Sequence, residues 1–417
     1  PPFFRPMLDY TVFTLPNGLR VVHHRDDSPA HVAVNILYNV GGRDESAELT
    51  GMAHLFEHLM FGGSVNVADY DAELEAAGGT SNAWTSNDFT NFYDIVAREN
   101  VETAFWLESD RMLSPSFAEQ VLRTQKSVVI EEFKQTCLNK PYGDMMHHLL
   151  PMLFGSHPYA VPTIGVAPDH IERVTMDDIR SFFFSHYAPN NAVLSVVGPI
   201  SLERTRELAE KWFGPIPSRP IAPRAYAPAA PITEPRRLTV TAQVPQTRLI
   251  IAFQMERYGH EQYFAADLIT DILSAGNSSR FNRELLMATD IFTDVDAMIT
   301  GYEDTGVLMI VAGLTADDDA TIARAEEAIW DQLRRIASEP VSDFELQRVK
   351  NRFESNMIMS QLSFAAKARE LAKAVMHGED YNAILDRYRA ISASDITSTA
   401  STIFQPSRSC TLLYRPA

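Results

Sequence analysis

The sequence predicts an α+β fold with two homologous domains, each an antiparallel-rich sheet flanked by helices, joined by a proline-rich linker. Three observations predict this architecture. The chain has 417 residues, more than one hydrophobic core usually organises. The order strand, strand, helix occurs once in each half. Between the halves, residues 214–237 contain seven prolines, which exclude a helix or a central strand. We therefore predict an N-terminal domain at 1–213 and a C-terminal domain at 238–417.

The elements of the first half follow from apolar periodicity and turn signals. DYTVFTLPNGLRVVHH (9–24) predicts a strand pair around the turn Pro16-Asn17-Gly18, and HVAVNILYNVGG (31–42) predicts a third strand. Spacing of apolar residues every three or four positions predicts the helices that follow. Their sequences are GMAHLFEHLMFGGS (51–64), NVETAFWLESDRML (100–113) and AEQVLRTQKSVVIEEFKQ (118–135).

The second half repeats this order more loosely. RRLTVTAQVPQTRLIIAFQM (236–255) predicts two strands, and YFAADLITDILSAG (263–276) predicts the helix after them. A longer helix is predicted over SDFELQRVKNRFESNMIMSQ (342–361). We interpret the halves as two copies of one α+β unit, of which only the first carries the histidine motif described below.

Composition excludes several classes of function. Hydrophobic residues make up 45% and charged residues 22% of the chain, as in globular proteins. The net charge of −18 disfavours nucleic acid, whose phosphates would be repelled. No run of 18 apolar residues occurs, so no membrane span is expected. Two cysteines, Cys137 and Cys410, are too few to indicate a compartment, and their pairing stays open.

The helix at 51–64 carries two histidines four residues apart in an apolar run. Residues i and i+4 share a helix face, so His54 and His58 can point at one spot that Glu57 flanks. Buried imidazoles and carboxylates need partners, and a zinc ion fits two imidazoles on successive turns with a nearby base. The order H-x-x-E-H is that of the inverzincins. The alternative is two surface histidines on an ordinary amphipathic helix.

A catalytic zinc needs a third protein ligand, and the helix at 118–135 offers two adjacent glutamates. Glu131 falls on the stripe of Thr124, Ser127 and Gln135, which is typical of a solvent-facing side. Glu132 falls on the stripe of Val121, Gln125 and Val128, which we expect to be buried. We therefore choose Glu132 as the third ligand; the alternative is that it pairs with a lysine or a capping group.

These residues resemble a known family. His54-Leu-Phe-Glu57-His58, followed by V-V-I-E-E, resembles the pitrilysin, insulinase and mitochondrial processing peptidase family of zinc metallopeptidases. GGTSNAWTSNDFTNFY (78–93), His157-Pro158-Tyr159 and YAPNNAVLSVVG (187–198) also match its pattern, and the second half matches loosely. The resemblance implies one Zn²⁺ per chain, bound by His54, His58 and Glu132, and hydrolysis of peptides by a zinc-activated water with Glu57 as general base.

The resemblance also assigns substrate binding and one departure. Asn82, Ala83 and Trp84 are implied to bind an extended peptide through an edge strand, and Gly78 and Gly79 would allow the close approach of its backbone. A plain edge strand is the alternative. The family usually has a glutamate seven residues before the metal-binding glutamate. Here that position is Gln125, which should soften the outer shell of the site without abolishing metal binding.

A second departure concerns the partner. The family's second half usually contributes an arginine and, seven residues later, a tyrosine, but alignment by S-S-R places Leu286 and Thr293 there. The resemblance then implies a heterodimer in which a homologous subunit supplies the Arg/Tyr pair, as in two-subunit bacterial members. The alternative is a non-catalytic scaffold or binding subunit of the same family. We place the protein in a bacterium, in the periplasm or the cytoplasm.

Overall fold

The computed structural model describes residues 7–221 and 223–417. Its strands are β1 (Tyr10–Thr14), β2 (Arg20–Arg25), β3 (His31–Tyr38), β4 (Thr80–Thr85), β5 (Thr90–Ala97), β6 (Ala192–Gly198), β7 (Arg236–Ala242), β8 (Arg248–Met255), β9 (Phe292–Gly301), β10 (Gly306–Leu314) and β11 (Ser409–Pro416). Its α-helices are α1 (Met52–Leu59), α2 (Tyr70–Ala76), α3 (Val101–Leu113), α4 (Glu119–Phe133), α5 (Met145–Phe154), α6 (Pro168–Arg173), α7 (Met176–His186), α8 (Leu202–Trp212), α9 (Glu261–Ser274), α10 (Asp319–Ser338), α11 (Asp343–Ser360), α12 (Phe364–His377), α13 (Ile384–Ala390) and α14 (Ala393–Ile403).

The strands form two sheets with corresponding topologies. The first sheet has the order β1-β2-β6-β3-β5-β4, and the second has the order β7-β11-β8-β10-β9. In each sheet one pair is parallel, β2 with β6 and β7 with β11, and the other pairs are antiparallel. Apart from β1, every strand of the first sheet therefore has a counterpart in the second. The predicted fold class and the internal repeat are confirmed.

The predicted strand pair at the start of the chain is the β1–β2 hairpin. Its register pairs Tyr10 with His24 and Thr14 with Arg20. Gly18, in the turn, has a φ of +90°, a backbone conformation that glycine adopts without the steric cost of a Cβ. The turn signal in the sequence thus predicts the hairpin for the correct physical reason.

The chain divides into two compact units that interleave along the sequence. The first unit comprises the described residues through Phe133, Val161–Ala225 and Asn356–Ile384. The second comprises Lys134–Ala160, Tyr226–Ser355 and Leu385–Ala417. The domains proposed at 1–213 and 238–417 are contiguous, and they remain a proposal. Within the linker at 214–237, residues 217–221 and 223–235 form neither helix nor strand.

The first unit has apolar cores on both faces of its sheet. One core joins buried residues of α1, α3, α7 and α8 to the sheet, and it includes Phe56, Phe105 and Phe183. On the opposite face, Leu371 of α12 lies in a second cluster with Leu37 and Val197. A helix from the C-terminal half of the sequence thus covers the sheet of the first unit, which the sequence alone does not indicate.

Candidate metal centre

Helix α1 has a buried apolar side and a polar side. Leu55, Phe56 and Leu59 are buried in the core of the first unit, and the Phe56 ring lies 4.4 Å from that of Tyr187, centroid to centroid. Because the helix repeats every 3.6 residues, its motif residues share the other side. On that side the side chains of His54 and His58 are 15% and 24% exposed. They are therefore shielded but reachable by water.

The start of α1 is held by a carboxylate that the sequence analysis missed. Gly51, the residue before the helix, has a φ of +86° and no side chain that could cap it. The carboxylate of Glu45 instead accepts hydrogen bonds from the amides of Gly51 (2.8 Å) and Ala53 (2.7 Å). Helix-start amides need such an acceptor. Glu45 precedes the helix by a loop, so no local spacing rule identifies it.

Helix α4 brings the third candidate ligand to α1. A Cβ at Gly62, just after α1, would lie 2.2 Å from Cγ1 of Val121, so the close packing at this point requires glycine.

Glu131 is exposed and Glu132 is half-buried, which matches the predicted difference between the two glutamates. The expected burial of Val128 is wrong: its side chain is 43% exposed, since α4 buries mainly Leu122, Val129 and Phe133.

The three predicted ligands converge. The two Nε2 atoms of His54 and His58 lie 3.3 Å apart. Oε2 of Glu132 lies 3.7 Å from Nε2 of His54 and 3.5 Å from Nε2 of His58. Among the described residues, this trio is the group of His, Cys, Asp or Glu side chains whose candidate ligand atoms lie within 4.8 Å of one another. Burial lowers the pKa of His54 against the opposing charge of Glu132, which favours the neutral imidazole that metal binding requires.

Glu57 lies beside the trio and has a hydrogen-bond partner on β4. The hydroxyl of Thr85 donates to Oε2 of Glu57 at 2.5 Å. Burial raises the pKa of Glu57, while the bond from Thr85 and the charge of His58 act in the opposite direction. Thr85 is the second residue of the site that the sequence analysis missed; it directly follows the three residues assigned to substrate binding.

Strand β4 is the outer strand of the first sheet, beside β5. Successive side chains of a strand face opposite sides of the sheet. Ala83 packs on the core that contains α1, and Trp84 packs on the cluster that contains α12. The Trp84 ring lies 5.5 Å from Nζ of Lys373. Its side chain is therefore on the face opposite to α1, and any contact with a peptide added at the strand edge involves its main chain.

The glycines before β4 have structural roles within the first unit. A Cβ at Gly79 would lie 2.6 Å from Cδ1 of Leu74 and 2.7 Å from Cγ1 of Val96, so this glycine makes room for packing within the unit. Gly78 has a φ of +68° and supplies a left-handed turn. The close approach of a substrate at Gly78 and Gly79 stays a prediction.

The remaining predicted positions lie on regular elements. Gln125 is on the half-buried side of α4, two turns before Glu132. Leu286 ends a π-helical segment, Asn282–Leu286. The hydroxyl of Thr293, on β9, accepts a hydrogen bond from Gln246 at 3.1 Å and donates one to Asp294 at 2.9 Å. Neither Leu286 nor Thr293 offers the charge of an arginine or the phenol of a tyrosine.

Two models of one peptidase family match the chain. The model described as "Insulinase (Peptidase family M16)" matches residues 20–164, which include the histidine motif and Glu132. The model described as "Peptidase M16 inactive domain" matches residues 173–353. The chain belongs to peptidase family M16. The three candidate ligands lie within the residues that match the insulinase model.

Proteins named as zinc proteases match most of the chain. The "Zinc protease PqqE" of Helicobacter pylori is 26% identical over 413 residues, which cover 97% of this chain and 92% of that protein. The "Uncharacterized zinc protease YmxG" of Bacillus subtilis is 26% identical over 358 residues, 85% of each chain. The crystal structure of a protease from Helicobacter pylori has a TM-score of 0.91 at 25% identity and covers 98% of this chain and 100% of its own.

A further solved structure shares the fold alone. The peptidase M16 inactive domain from Pseudomonas fluorescens has a TM-score of 0.87 at 17% identity, with 98% of both chains covered.

In the part of the chain that the structure describes, no helix combines the length and the apolar character needed to cross a membrane.

Proposed function

We propose that this chain is the metal-bearing subunit of a zinc endopeptidase, with one zinc ion held by His54, His58 and Glu132. The observation that carries the proposal is the spacing of their donor atoms. Zinc held tetrahedrally by ligands at about 2.0–2.1 Å requires those ligand atoms to lie ~3.4 Å apart. The three donor atoms here lie 3.3, 3.5 and 3.7 Å apart, and the set of two imidazoles and a carboxylate is one that zinc prefers.

The residues of the site have distinct chemical tasks in peptide hydrolysis. A zinc ion at this position supplies Lewis acidity toward a water molecule and the substrate carbonyl. Glu57 accepts the proton of the attacking water on its carboxylate and passes it to the leaving amine. Its place on α1, between the two histidines, keeps that carboxylate beside the metal position. The apolar side of α1 fixes the helix against the core. His54, Glu57 and His58 are therefore carried by a rigid element.

An extended peptide is the substrate class that the site favours. Strand β4 is an outer strand of its sheet, so its free edge can add another strand through main-chain hydrogen bonds. We assign this contact to the backbone of Asn82, Ala83 and Trp84. Gln125 contributes to the outer shell of the metal site through α4. Recognition through the main chain implies broad tolerance of substrate side chains.

The chain carries the metal half of the active site and lacks the Arg/Tyr pair expected in its second half. Removing one donor to a developing oxyanion costs about 10² to 10³ in rate. We therefore assign the pair to a homologous partner subunit that forms a heterodimer with this chain. We also propose that the protein is bacterial and located in the periplasm or the cytoplasm. The bacterial relatives named as zinc proteases support the bacterial origin.

A scaffold or binding subunit is the second candidate function. The match of residues 173–353 to an inactive-domain model and the residues Leu286 and Thr293 favour it. The full set of three ligands and a base disfavours it, because a site without function has no physical need for three converging donor atoms in a shielded position.

The test is cleavage of a quenched fluorescent peptide library by three samples. These are the chain alone, the chain with a homologous subunit that carries the Arg/Tyr pair, and the same mixture after zinc chelation. We expect cleavage in the mixture only, abolished by the chelator. Activity of the chain alone would refute the need for a partner, and zinc-bound mixtures without activity would favour the scaffold.

A further inference from the structure

The hydroxyl of Thr85 is directed at the candidate base from a different element of the fold. Thr85 ends β4, and its Oγ1 donates to Oε2 of Glu57, on α1, over 2.5 Å. This is a short hydrogen bond for an O–H donor, as expected when the acceptor is a carboxylate. It is a hydrogen bond between the outer strand of the sheet and the metal-motif helix.

The alternation of β4 determines which side chains can reach α1. Ala83 and Thr85 are two residues apart and share the face of the sheet that packs on the α1 core. Trp84, between them, packs on the opposite face. A one-residue shift in the register of β4 would therefore remove the hydroxyl from Glu57 and present the indole instead.

The backbone that carries the hydroxyl is fixed on both sides. Thr85 pairs with Thr90 across the hairpin, and the next residue, Ser86, donates its amide to the carbonyl of Phe89 at 2.8 Å. The carbonyl of Ser86 in turn accepts the amide of Gly42 at 3.0 Å. A Cβ at Gly41 would lie 2.4 Å from that carbonyl oxygen. The segment before α1 therefore holds the end of β4 closely.

The hydrogen bond from Thr85 is accepted by only one carboxylate oxygen of Glu57, Oε2. A threonine hydroxyl has one proton to donate, and it goes to Oε2. Within the described residues, Oε1 receives no hydrogen bond. A carboxylate tied at one oxygen keeps one rotamer and presents the other oxygen in a fixed direction, which is what a general base requires.

We propose that Thr85 is a positioning residue that fixes the carboxylate of Glu57 through Oε2, so that Oε1 is the atom that accepts the proton. The role rests on the proposed peptidase function. Because Thr85 follows the strand segment to which the peptide is proposed to add, the same rigid backbone sets both the peptide and the base. Strand β4 thus fixes the position of Oε1 relative to the scissile carbonyl of the peptide.

The first arm of the test compares crystal structures of the zinc-loaded chain. Thr85→Val keeps the shape and the β-branch of the residue but removes its donor, while Thr85→Ser keeps the donor. We expect Glu57 in one conformation in the wild type and in Thr85→Ser, and displaced or in several conformations in Thr85→Val. An unchanged Glu57 in Thr85→Val would overturn the proposal, whether or not the protein cleaves peptides.

The second arm uses the assembly that cleaves peptides. Thr85→Val should lower kcat by about 10- to 100-fold, the effect of a misplaced proton acceptor, with KM and zinc content unchanged and with Thr85→Ser restoring most of the rate. Thr11→Val, on β1 at the other edge of the sheet, is the matched control and should change none of these. A rise in KM alone, or equal losses in the valine and serine variants, would overturn the role. Absence of any cleavage by the wild type would refute the peptidase function and leave the first arm to decide on Thr85.

Discussion

Two adjacent glutamates on α4 have opposite environments. Glu131 is exposed, whereas the Glu132 carboxylate lies within 3.7 Å of both imidazoles and keeps 39% of its side-chain exposure. Helix geometry explains the difference, because consecutive residues lie about 100° apart around the axis. The pair thus offers a matched comparison in which the same chemical change is made one residue apart.

Glu132→Gln should lose zinc, and Glu131→Gln should not. Loss of an outer-shell partner of a metal site typically costs ~10- to 100-fold in affinity, and we expect the loss of a charged ligand to exceed that range. Competition with a chromophoric zinc chelator measures both affinities. Equal affinities in the two variants would show that Glu132 is not a ligand.

Glu57→Gln should keep zinc and lose most of the hydrolytic activity. The amide can still accept the hydrogen bond of Thr85 through its oxygen, so the side chain keeps its place but cannot take up a proton. We expect peptide cleavage by the active assembly to fall by about 10² to 10⁴, the usual contribution of a general base. Zinc analysis serves as the control, and full activity with bound zinc would exclude Glu57 as the base.

The residues of the site divide into those that local spacing reveals and those that it does not. The positions of His54, His58 and Glu57 follow from the helical repeat, and helical phase separates Glu132 from Glu131. Glu45 and Thr85 belong to other elements, so their contacts with α1 depend on tertiary packing. A sequence pattern can rank residues along one helix, but it cannot say which strand end meets that helix.

At the scale of elements, α1 depends on a cap supplied from outside the helix. Glu45→Ala would leave the amides of Gly51 and Ala53 without their acceptor. We expect the free energy of unfolding to fall by ~1–2 kcal/mol, the usual cost of a lost helix cap, and zinc affinity to fall with it. Urea unfolding measures the first effect. Glu48→Ala, an exposed change in the same loop, is the control; equal effects would argue against the cap.

Helix α12 is joined to the sheet of the first unit by an ion pair. The ammonium of Lys367 contacts the carboxylate of Asp26, which follows β2. Both side chains are mostly buried, at 10% and 13% exposure. Burial raises the pKa of Asp26, but hydrogen bonds from Lys367 and Ser28 outweigh it and lower the pKa from 3.8 to about 2. The charged pair therefore contributes stability above pH ~4, which is lost as the pH falls toward 2.

Asp26→Asn should destabilise the protein in a pH-dependent way. A pKa lowered by nearly two units corresponds to about 2 kcal/mol at neutral pH. We expect the free energy of unfolding in urea at pH 7 to be larger for the wild type than for the variant by that amount. Below pH 4 this difference should shrink. Asp27→Asn removes a neighbouring exposed carboxylate and should have little effect. A difference that does not change with pH would contradict the ion-pair account.

Most elements follow from sequence periodicity, but their partners do not. The hairpin β1–β2, the motif helix α1 and the long helix α4 all occur where apolar spacing and the turn signal predict them. The packing of α12 on the first sheet is not predicted, because an amphipathic helix shows which face is buried but not what covers it.

At the scale of the whole molecule, the five strands of the second sheet repeat the order of five strands of the first. Among the described residues, one group of candidate metal ligands is found, and it lies in the first unit. The sequence indicates the repeat through its order of elements, and the two sheets confirm it. The units interleave along the chain, which contiguous boundaries drawn from a proline-rich linker do not anticipate. Linker composition reports local stiffness, whereas unit membership depends on long-range contacts.

The second unit has the repeated fold without the candidate ligands. Leu286 and Thr293 stand where the family resemblance implies an arginine and a tyrosine, so fold alone does not supply the missing half of the chemistry. The zinc site that we propose therefore belongs to the first unit, at His54, His58 and Glu132.

The most direct measurement is anomalous X-ray diffraction at the zinc absorption edge, on crystals of the purified chain grown without a chelator. We predict one strong anomalous peak per chain, within bonding distance of Nε2 of His54, Nε2 of His58 and the carboxylate of Glu132. Absence of a peak in zinc-supplemented crystals, or a peak bound by other residues, would contradict the account.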